Sequence, residues 1–241
     1  MHEESLHNTS SIFGRFQTYL PEFVYGGIDG AVTTFAVVAG GFGANLDTGV
    51  IIILGFANLL ADGFSMSVGA YLSAKSEREN FKKNQAIEYW EVENIPDAER
   101  KEIEDIYRAK GFEGKLLDRV VDQITTDKDI WVAEMMKDEL NLLLDDKSPL
   151  NIGLATLISF ILVGLIPLLI YIWDFFGDIS GEVFLLTSIL TAIAFAIVGF
   201  LKSYVNKTSI LKSILETLAL GLLAAMVAYF VGDLLEQFFL S

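Results

Sequence analysis

The chain has 241 residues, of which 52% are hydrophobic, and its mean hydropathy of +0.46 is too high for an ordinary soluble domain. It nevertheless carries 32 acidic and 17 basic residues, and the resulting net charge of −15 argues against nucleic-acid binding, which depends on basic surfaces. Because cysteine is absent, disulfides, thiolate metal sites and iron–sulfur clusters are excluded, which leaves oxygen, nitrogen and thioether ligands for any metal.

The chain begins with a polar leader that contains both of its histidines, His2 and His7. This leader lacks the apolar core and the cleavage site of a secretory signal. Residues 1–22 are therefore predicted to form a cytosolic tail.

Five apolar segments follow, each long enough, at roughly 20 residues, to cross about 30 Å of hydrocarbon as a helix. The predicted spans cover approximately residues 23–44, 50–72, 150–173, 183–203 and 210–235. The pattern indicates an all-α membrane protein. Its first two transmembrane helices lie within residues 23–72, and its last three lie within residues 148–241.

Residues 73–147, between the second and third spans, have a different composition, with about 20 of the acidic and about 13 of the basic residues. Pro96-Asp97 and Thr126-Asp127 are typical of helix starts, and Lys110-Gly111 is typical of a helix end. The region is predicted to be a soluble domain of three or four short amphipathic helices, inserted between the second and third transmembrane helices.

The short loops predict the orientation in the membrane. Residues 45–49 and 174–182 contain no lysine or arginine, whereas the loop between the fourth and fifth spans carries Lys202, Lys207 and Lys212. Basic loops are retained in the cytosol. We therefore expect the N-terminus and the insertion to be cytosolic, and the C-terminal tail, residues 236–241, to lie on the opposite side.

The first span contains a carboxylate, Asp29, within Tyr25-Gly-Gly-Ile-Asp-Gly30. A carboxylate at the bilayer centre costs about 2.5 to 3.5 kcal/mol on insertion scales, so it requires a partner, a cavity or a function. The three glycines are expected to loosen the helix and to permit close helix contact, including contact between two copies of the chain. Asp29 is then either a structural carboxylate, which caps a broken helix or bonds to Thr33 and Thr34, or an ion ligand.

The second span carries a polar stripe, because Asn58, Asp62 and Met66 recur every fourth residue and so share one helix face. Such a face is poorly suited to lipid. Asp29 and Met66 together offer a hard oxygen and a thioether, which suit a first-row transition ion better than magnesium or calcium. Packing is the alternative function for Met66, and a structural hydrogen bond is an equal alternative for Asp62.

Seven residues of the insertion have spacings that place them on shared helix faces: Glu88 with Glu91, Glu99 with Glu102, and Met135 and Met136 with Glu139. Three helices could then bring five carboxylates together, with the methionines as softer ligands. Facing carboxylates repel each other unless a cation neutralises them, so such a cluster indicates a metal site. A solvated acidic face without a metal is the alternative.

Two stretches of the chain resemble the vacuolar iron transporter family. They are Phe23-Val-Tyr-Gly-Gly-Ile-Asp-Gly-Ala-Val-Thr-Thr-Phe-Ala-Val-Val-Ala-Gly40 and Asn58-Leu-Leu-Ala-Asp-Gly-Phe-Ser-Met-Ser-Val-Gly-Ala-Tyr-Leu-Ser73. The five-helix layout is also similar. The resemblance implies transport of iron(II), and often manganese(II), out of the cytosol in exchange for protons. It further implies a homodimer whose pathway lies between the subunits and is lined by the first two helices.

The resemblance also implies roles for particular residues. Asp29 and Met66 match the family's pathway residues, with Asp62 and Asn58 beside them on the second helix. The family's cytosolic metal-binding insertion corresponds to Glu88, Glu91, Glu99, Glu102, Met135, Met136 and Glu139. The chain departs from many relatives at Ala70, where they have glutamate, and this difference bears on metal preference and proton coupling.

No resident cofactor and no enzymatic activity are expected, because the sequence contains no nucleophile elbow, phosphate loop or dinucleotide fingerprint. The expected partners are protons, the lipid bilayer and divalent ions, namely iron(II), manganese(II), and zinc(II) or cobalt(II) as surrogates. The membrane would be the plasma (inner) membrane in a prokaryote or a vacuolar-type membrane in a eukaryote.

Two other functions are considered. A ferritin-like oxidase or storage module is disfavoured because the insertion contains no histidine, which di-iron bundles use in Glu-x-x-His pairs. A membrane-anchored acidic protein that binds metal or recruits partners, without transport, is the second.

Overall fold

The computed structural model describes residues 17–177 and 182–239, and every regular element in these ranges is helical. Of the predicted N-terminal tail, residues 1–16, with His2 and His7, lie outside the described residues, as do residues 178–181 of the third predicted loop and residues 240–241 of the C-terminal tail. The chain divides into two compact units. The first comprises residues up to Leu72 and from Lys147 onward, and the second is Ser73–Asp146.

The α-helices in chain order are α1 Leu20–Gly43, α2 Thr48–Asn94, α3 Pro96–Ala109, α4 Gly114–Thr125, α5 Lys128–Glu134, α6 Pro149–Gly164, α7 Leu169–Gly177, α8 Val183–Asn206 and α9 Ile210–Phe239. A π-helical turn, Met135–Glu139, continues α5, and a 3₁₀ turn, Ile166–Leu168, joins α6 to α7.

Five helical segments in the described ranges are long and apolar enough to cross a membrane, which confirms the predicted number. They are Leu20–Gly43, Thr48–Asn94, Pro149–Gly177, Val183–Asn206 and Ile210–Phe239. The third contains Pro167, which has no backbone N–H to donate, and the helix there tightens into the 3₁₀ turn.

In the first unit α1 packs against α6, α8 and α9. Its glycines make the approach of α6 possible: a Cβ on Gly30 would lie 2.4 Å from the carbonyl oxygen of Phe160, and a Cβ on Gly26 would lie 2.7 Å from that of Thr156. The helix continues unbroken through these glycines, so the expected loosening is absent. These two glycines therefore serve a contact within the chain, and they give no support to a contact between two copies.

Helix α2 is longer than the sequence indicates. Its 47 residues correspond to about 70 Å, more than twice the thickness of the hydrocarbon layer. The helix was expected to end near Leu72, but residues 73–94 contain neither glycine nor proline, and the helix continues to Asn94. Its apolar part belongs to the first unit, and its polar part, from Ser73, belongs to the second.

The second unit consists of the polar part of α2, the helices α3 to α5 and the π-helical turn. Pro96 separates α2 from α3, because proline disfavours helical geometry at the preceding residue and occupies the first position of a new helix; Ile95 has φ −133° and ψ 45°. Asp127 caps α5, as its sequence predicts, by accepting hydrogen bonds from the backbone N–H groups of Asp129 and Ile130. Apolar faces of these helices form one hydrophobic cluster.

Candidate metal centre

Three glutamates of the second unit form a group with the spacing of a metal site. Carboxylate oxygens of Glu88, Glu91 and Glu99 lie within 4.8 Å of one another. Glu88 and Glu91 are one turn apart on α2, and Glu99 is in the first turn of α3. The break at Ile95 is a single residue long, so it brings the first turn of α3 beside the last turns of α2.

Two of these carboxylates are buried, and each has an oxygen that no hydrogen bond satisfies within the described residues. Glu88 and Glu99 are each 3% exposed, and within the described residues the Oε2 atom of each is buried and has no hydrogen-bond partner. Two unit charges 4.8 Å apart repel each other by roughly 3.5 kcal/mol at an effective dielectric constant of about 20. Without a cation, the fully ionised group is therefore strained electrostatically.

Burial and the neighbouring charges together raise the pKa values of these two carboxyl groups. Burial is the largest cause that raises the pKa of Glu88 to about 7. Repulsion by neighbouring carboxylates raises it further; these are Glu139, Glu91, Glu99 and Glu102. Burial also raises the pKa of Glu99 to about 7, with added repulsion from Glu102, Glu91 and Glu139. The two groups are thus half-protonated near neutral pH, a state in which a divalent ion competes directly with protons.

The remaining two carboxylates of the predicted set, Glu102 and Glu139, are exposed at the edge of the group. Desolvation raises the pKa of Glu139, and the charges of Glu102 and Glu91 add to this effect. The structure therefore brings all five predicted glutamates into one electrostatic cluster, formed by α2, α3 and the π-helical turn.

The two predicted methionine ligands have a different environment. Met135 is 0% exposed and Met136 is 2% exposed, and both lie in the hydrophobic cluster with Val92, Ile103 and Trp131. Packing accounts for this burial without a metal.

A second group of polar residues, which the sequence analysis missed, is centred on Glu134. The Oε2 atom of Glu134 is buried and has no hydrogen-bond partner within the described residues. Burial raises the pKa of Glu134, and the neighbouring carboxyl group of Asp138 raises it further. Lys110 forms an ion pair with Asp138 and lowers the pKa of that carboxyl group. The spacing of four residues between Glu134 and Asp138, on either side of the Met-Met pair, was the signal available in the sequence.

In the first unit, Asp29 is half-buried in the middle of α1. The hydroxyl of Thr33 donates to the backbone carbonyl of Asp29 at 2.9 Å and to that of Gly30 at 3.4 Å. Among residues 17–177 and 182–239, no hydroxyl donates to the Asp29 carboxylate, and α1 has no break for it to cap. The structural alternatives for Asp29 therefore lack support in the part of the chain that the structure describes.

The polar stripe of α2 is only partly covered by the rest of the chain. Asp62 is exposed and lies about 21 Å along the helix from Thr48, where α2 begins. Its carboxylate interacts electrostatically with that of Asp29. Met66 and Asn58 are half-buried, and the Nδ2 atom of Asn58 has no hydrogen-bond partner in the described ranges. A carboxylate on the outer surface of an apolar span cannot be satisfied by lipid.

The model of the VIT family matches residues 20–233. A vacuolar iron transporter from Toxoplasma gondii is 36% identical over 98% of this chain and 78% of its own length. The vacuolar iron transporter from Plasmodium falciparum is 32% identical over 90% of this chain and 82% of its own length. The one from Eucalyptus grandis is 32% identical over 86% of this chain and 83% of its own length. The chain therefore belongs to the VIT family, the vacuolar iron transporter family that its two membrane motifs resemble.

Proposed function

We propose that this protein is a transmembrane transporter that exports iron(II), and also manganese(II), from the cytosol. The observation that carries the proposal is the group of carboxylates at Glu88, Glu91 and Glu99, whose oxygens lie within 4.8 Å in a chain with five apolar spans. Membership of the family, and relatives that are named vacuolar iron transporters, support the iron-transport part of this proposal.

The second unit captures the metal. Carboxylate oxygens suit iron(II) and manganese(II), and the ion displaces the protons that Glu88 and Glu99 retain near neutral pH. Glu91, Glu102 and Glu139 add negative charge that attracts the cation. Met135 and Met136, which pack in the hydrophobic cluster of the same unit, are the softer thioether ligands of the proposed site.

The pathway through the membrane uses Asp29 and Met66, with Asp62 and Asn58 on the same face of α2 as Met66. Asp29 must be ionised to bind a cation, so a proton that arrives from the far side weakens metal binding and promotes release. Metal/proton antiport follows from this competition.

Transport takes place in a homodimer. The exposed carboxylate of Asp62 lies within an apolar span, where a partner or a water-filled pathway must replace lipid. A second copy of the chain, with its own α2 against this face, provides the partner and encloses the water-filled pathway between the two subunits.

In the proposed orientation, the N-terminus and the second unit are cytosolic, as is the loop that contains Lys207, and Asn45 lies on the opposite side. The natural chain contains no cysteine, so single cysteines report position without background. In cells that carry the chain in their plasma membrane, a membrane-impermeant thiol reagent should label Asn45→Cys and leave Lys207→Cys unlabelled. The reverse pattern would overturn the orientation.

Transport is tested with the purified full chain in proteoliposomes that contain a metal-quenched dye. We expect uptake of iron(II) and manganese(II), and of zinc(II) or cobalt(II) as surrogates, to be accelerated by a pH gradient. Asp29→Asn should abolish this flux. Asp233→Asn, which removes a carboxylate hydrogen-bonded to Gln237 on α9, is the matched control and should retain it.

Unchanged flux in Asp29→Asn would remove the central pathway residue from the proposal. If the wild-type chain binds iron(II) but moves none across the bilayer, the alternative of a membrane-anchored metal-binding or scaffold protein is correct.

A further inference from the structure

The first unit contains a cavity of about 680 Å³ where the C-terminal end of α8 and the start of α9 meet the start of α1. One wall is apolar and includes Leu20, Phe200 and Ile210. The other is polar, with Ser203, Lys207 and Thr208. The volume lies within the range of about 300 to 1,000 Å³ that is typical of small-ligand sites.

The cation of this cavity, Lys207, has a distinctive position. It ends α8 in a left-handed conformation, with φ 51°, and its backbone N–H bonds to the carbonyl of Ser203. Within the described ranges no carboxylate forms an ion pair with Lys207, whereas Lys202 and Lys212 share Glu216, at 3.0 and 3.9 Å. Lys207 thus brings an uncompensated positive charge to a partly apolar cavity.

Both helices that flank the cavity are long and apolar enough to cross a membrane, and the cavity is at the turn between them, where lipid headgroups are expected. Tyr204, at 60% exposure, adds an aromatic side chain of the kind that is enriched at membrane interfaces. The first backbone N–H groups of α9 have no partners within the helix and give this end a partial positive charge.

We propose that this cavity binds an anionic phospholipid, with the phosphate at Lys207 and Thr208 and an acyl chain along Leu20 and Phe200. A free anion would satisfy the lysine but not the apolar wall, and a zwitterionic lipid would bring a second cation close to Lys207. An anionic phospholipid satisfies both walls, and basic pockets between membrane helices commonly bind such headgroups. The site goes beyond the proposed metal transport and does not depend on it.

The test is native mass spectrometry of the full chain in detergent, with phosphatidylglycerol and phosphatidylcholine that have identical acyl chains. We expect the wild-type protein to retain phosphatidylglycerol in preference. Lys207→Ala should reduce the affinity for phosphatidylglycerol about fivefold, as expected for one lysine near an anionic lipid. Lys207→Arg should retain it. Lys115→Ala, which removes an exposed lysine from the second unit, is the matched control and should leave it unchanged.

Lys207→Gly removes the same charge but suits the left-handed backbone, so it separates loss of the ligand from backbone strain. It should lose phosphatidylglycerol to the same extent as Lys207→Ala. Equal binding of the two lipids by the wild-type chain, or undiminished phosphatidylglycerol in both charge-removing variants, would overturn the proposal. Inorganic phosphate that displaces phosphatidylglycerol at equal concentration would show that the ligand is a free phosphate and would also overturn it.

Discussion

Glu88 and Glu99 are the residues whose environment is hardest to explain by folding alone. Each is buried, each has a carboxylate oxygen without a hydrogen-bond partner among the described residues, and each lies among like charges. A buried unsatisfied polar group costs about 1 to 3 kcal/mol, and more if it is charged. A cation at the proposed metal site would offset this cost, because it neutralises the charges that repel each other.

We expect Glu88→Gln to have opposite effects on stability and on metal binding. Glutamine has nearly the same shape but no charge, so it removes both the desolvation of the carboxylate and its repulsion by Glu91 and Glu99. The metal-free protein should become more stable at pH 8. Iron(II) or manganese(II) affinity should fall at least tenfold, because a ligand oxygen with a negative charge is lost. Thermal unfolding and metal titration of the full chain in detergent measure the two effects.

Glu113→Gln is the control for this substitution, since Glu113 is an exposed residue of the same unit. It makes the same change in net charge and should alter neither quantity. If Glu88→Gln lowers stability in the metal-free protein, Glu88 contributes a structural hydrogen bond and is not a strained ligand.

The same pair of residues predicts how stability depends on pH. The pKa values of Glu88 and Glu99, about 7, lie above the ordinary value of 4.5, so the folded state retains protons that the unfolded chain releases between about pH 4.5 and 7. The free energy of unfolding of the metal-free protein should therefore decrease as pH rises through this window. Tryptophan fluorescence, to which the buried Trp131 of the second unit contributes, can follow unfolding with a chelator present.

Bound metal should reverse this trend, because binding requires the carboxylates to be ionised and releases their protons. Affinity is then expected to increase between about pH 6 and 8. A flat pH dependence of both stability and affinity in this range would contradict the raised pKa values. A variant with Glu88→Gln and Glu99→Gln should show such a flat profile.

Among the helical elements, the π-helical turn at Met135–Glu139 has the most direct effect on the site. Its hydrogen bond runs from the N–H of Leu140 to the carbonyl of Met135, five residues earlier. Turns of this kind insert one extra residue into an α-helix and are frequent at functional sites. The extra residue determines the direction in which Glu139 projects relative to Met135 and Met136.

Deletion of Lys137 should remove the extra residue and convert this turn to regular α-helix, which changes the direction and position of Glu139 relative to Met135 and Met136. The deleted side chain is exposed, so little packing is lost. We expect metal affinity to fall about tenfold or more while the helical circular dichroism of the full chain is retained. Lys137→Ala removes the same side chain without the change in register and should bind metal as the wild type does. Equal affinities of the two variants would mean that the π-helical geometry has no function in binding.

Some features of the helices can be predicted from the sequence, and others cannot. The number of spans was predicted correctly because about 20 apolar residues in succession have few alternatives to a membrane helix. The continuation of α2 to Asn94 is not predicted from composition, because the change from apolar to polar residues near Leu72 resembles a helix end although no residue there stops a helix. The π-helical turn has no signature in single-residue propensities, since it depends on packing in the second unit.

The site was predictable to a similar degree. Spacing placed each glutamate pair on one helix face, and the structure brings the pairs together. Burial could not be predicted in this way: nothing in the sequence separates Glu88, which is buried, from Glu102, which is exposed. For the same reason the enclosure of Met135 and Met136 in the hydrophobic cluster and the participation of Glu134 became apparent only from tertiary contacts.

For the whole molecule, the exposed polar stripe of α2 is the main feature that a single chain leaves unsatisfied. Asp62 and Ser65 are both exposed within the apolar part of the helix, and Phe64, between them in sequence, is 65% exposed. If two copies of α2 face each other there, one cysteine on this face should lie close to its counterpart in the second copy. Because the natural chain has no cysteine, Ser65→Cys can be cross-linked without further substitutions.

We expect Ser65→Cys, in native membranes treated with a thiol oxidant, to yield a species of twice the mass that reductant removes. Val227→Cys is the matched control, because it places a cysteine on an apolar face of α9, 64% exposed, that is not part of the proposed interface. If both variants cross-link, the chains collide at random in the membrane. If neither variant cross-links, the chain is a monomer. Only selective cross-linking at Ser65 places a second chain against Asp62, and this contact would enclose its carboxylate between the two subunits and away from lipid.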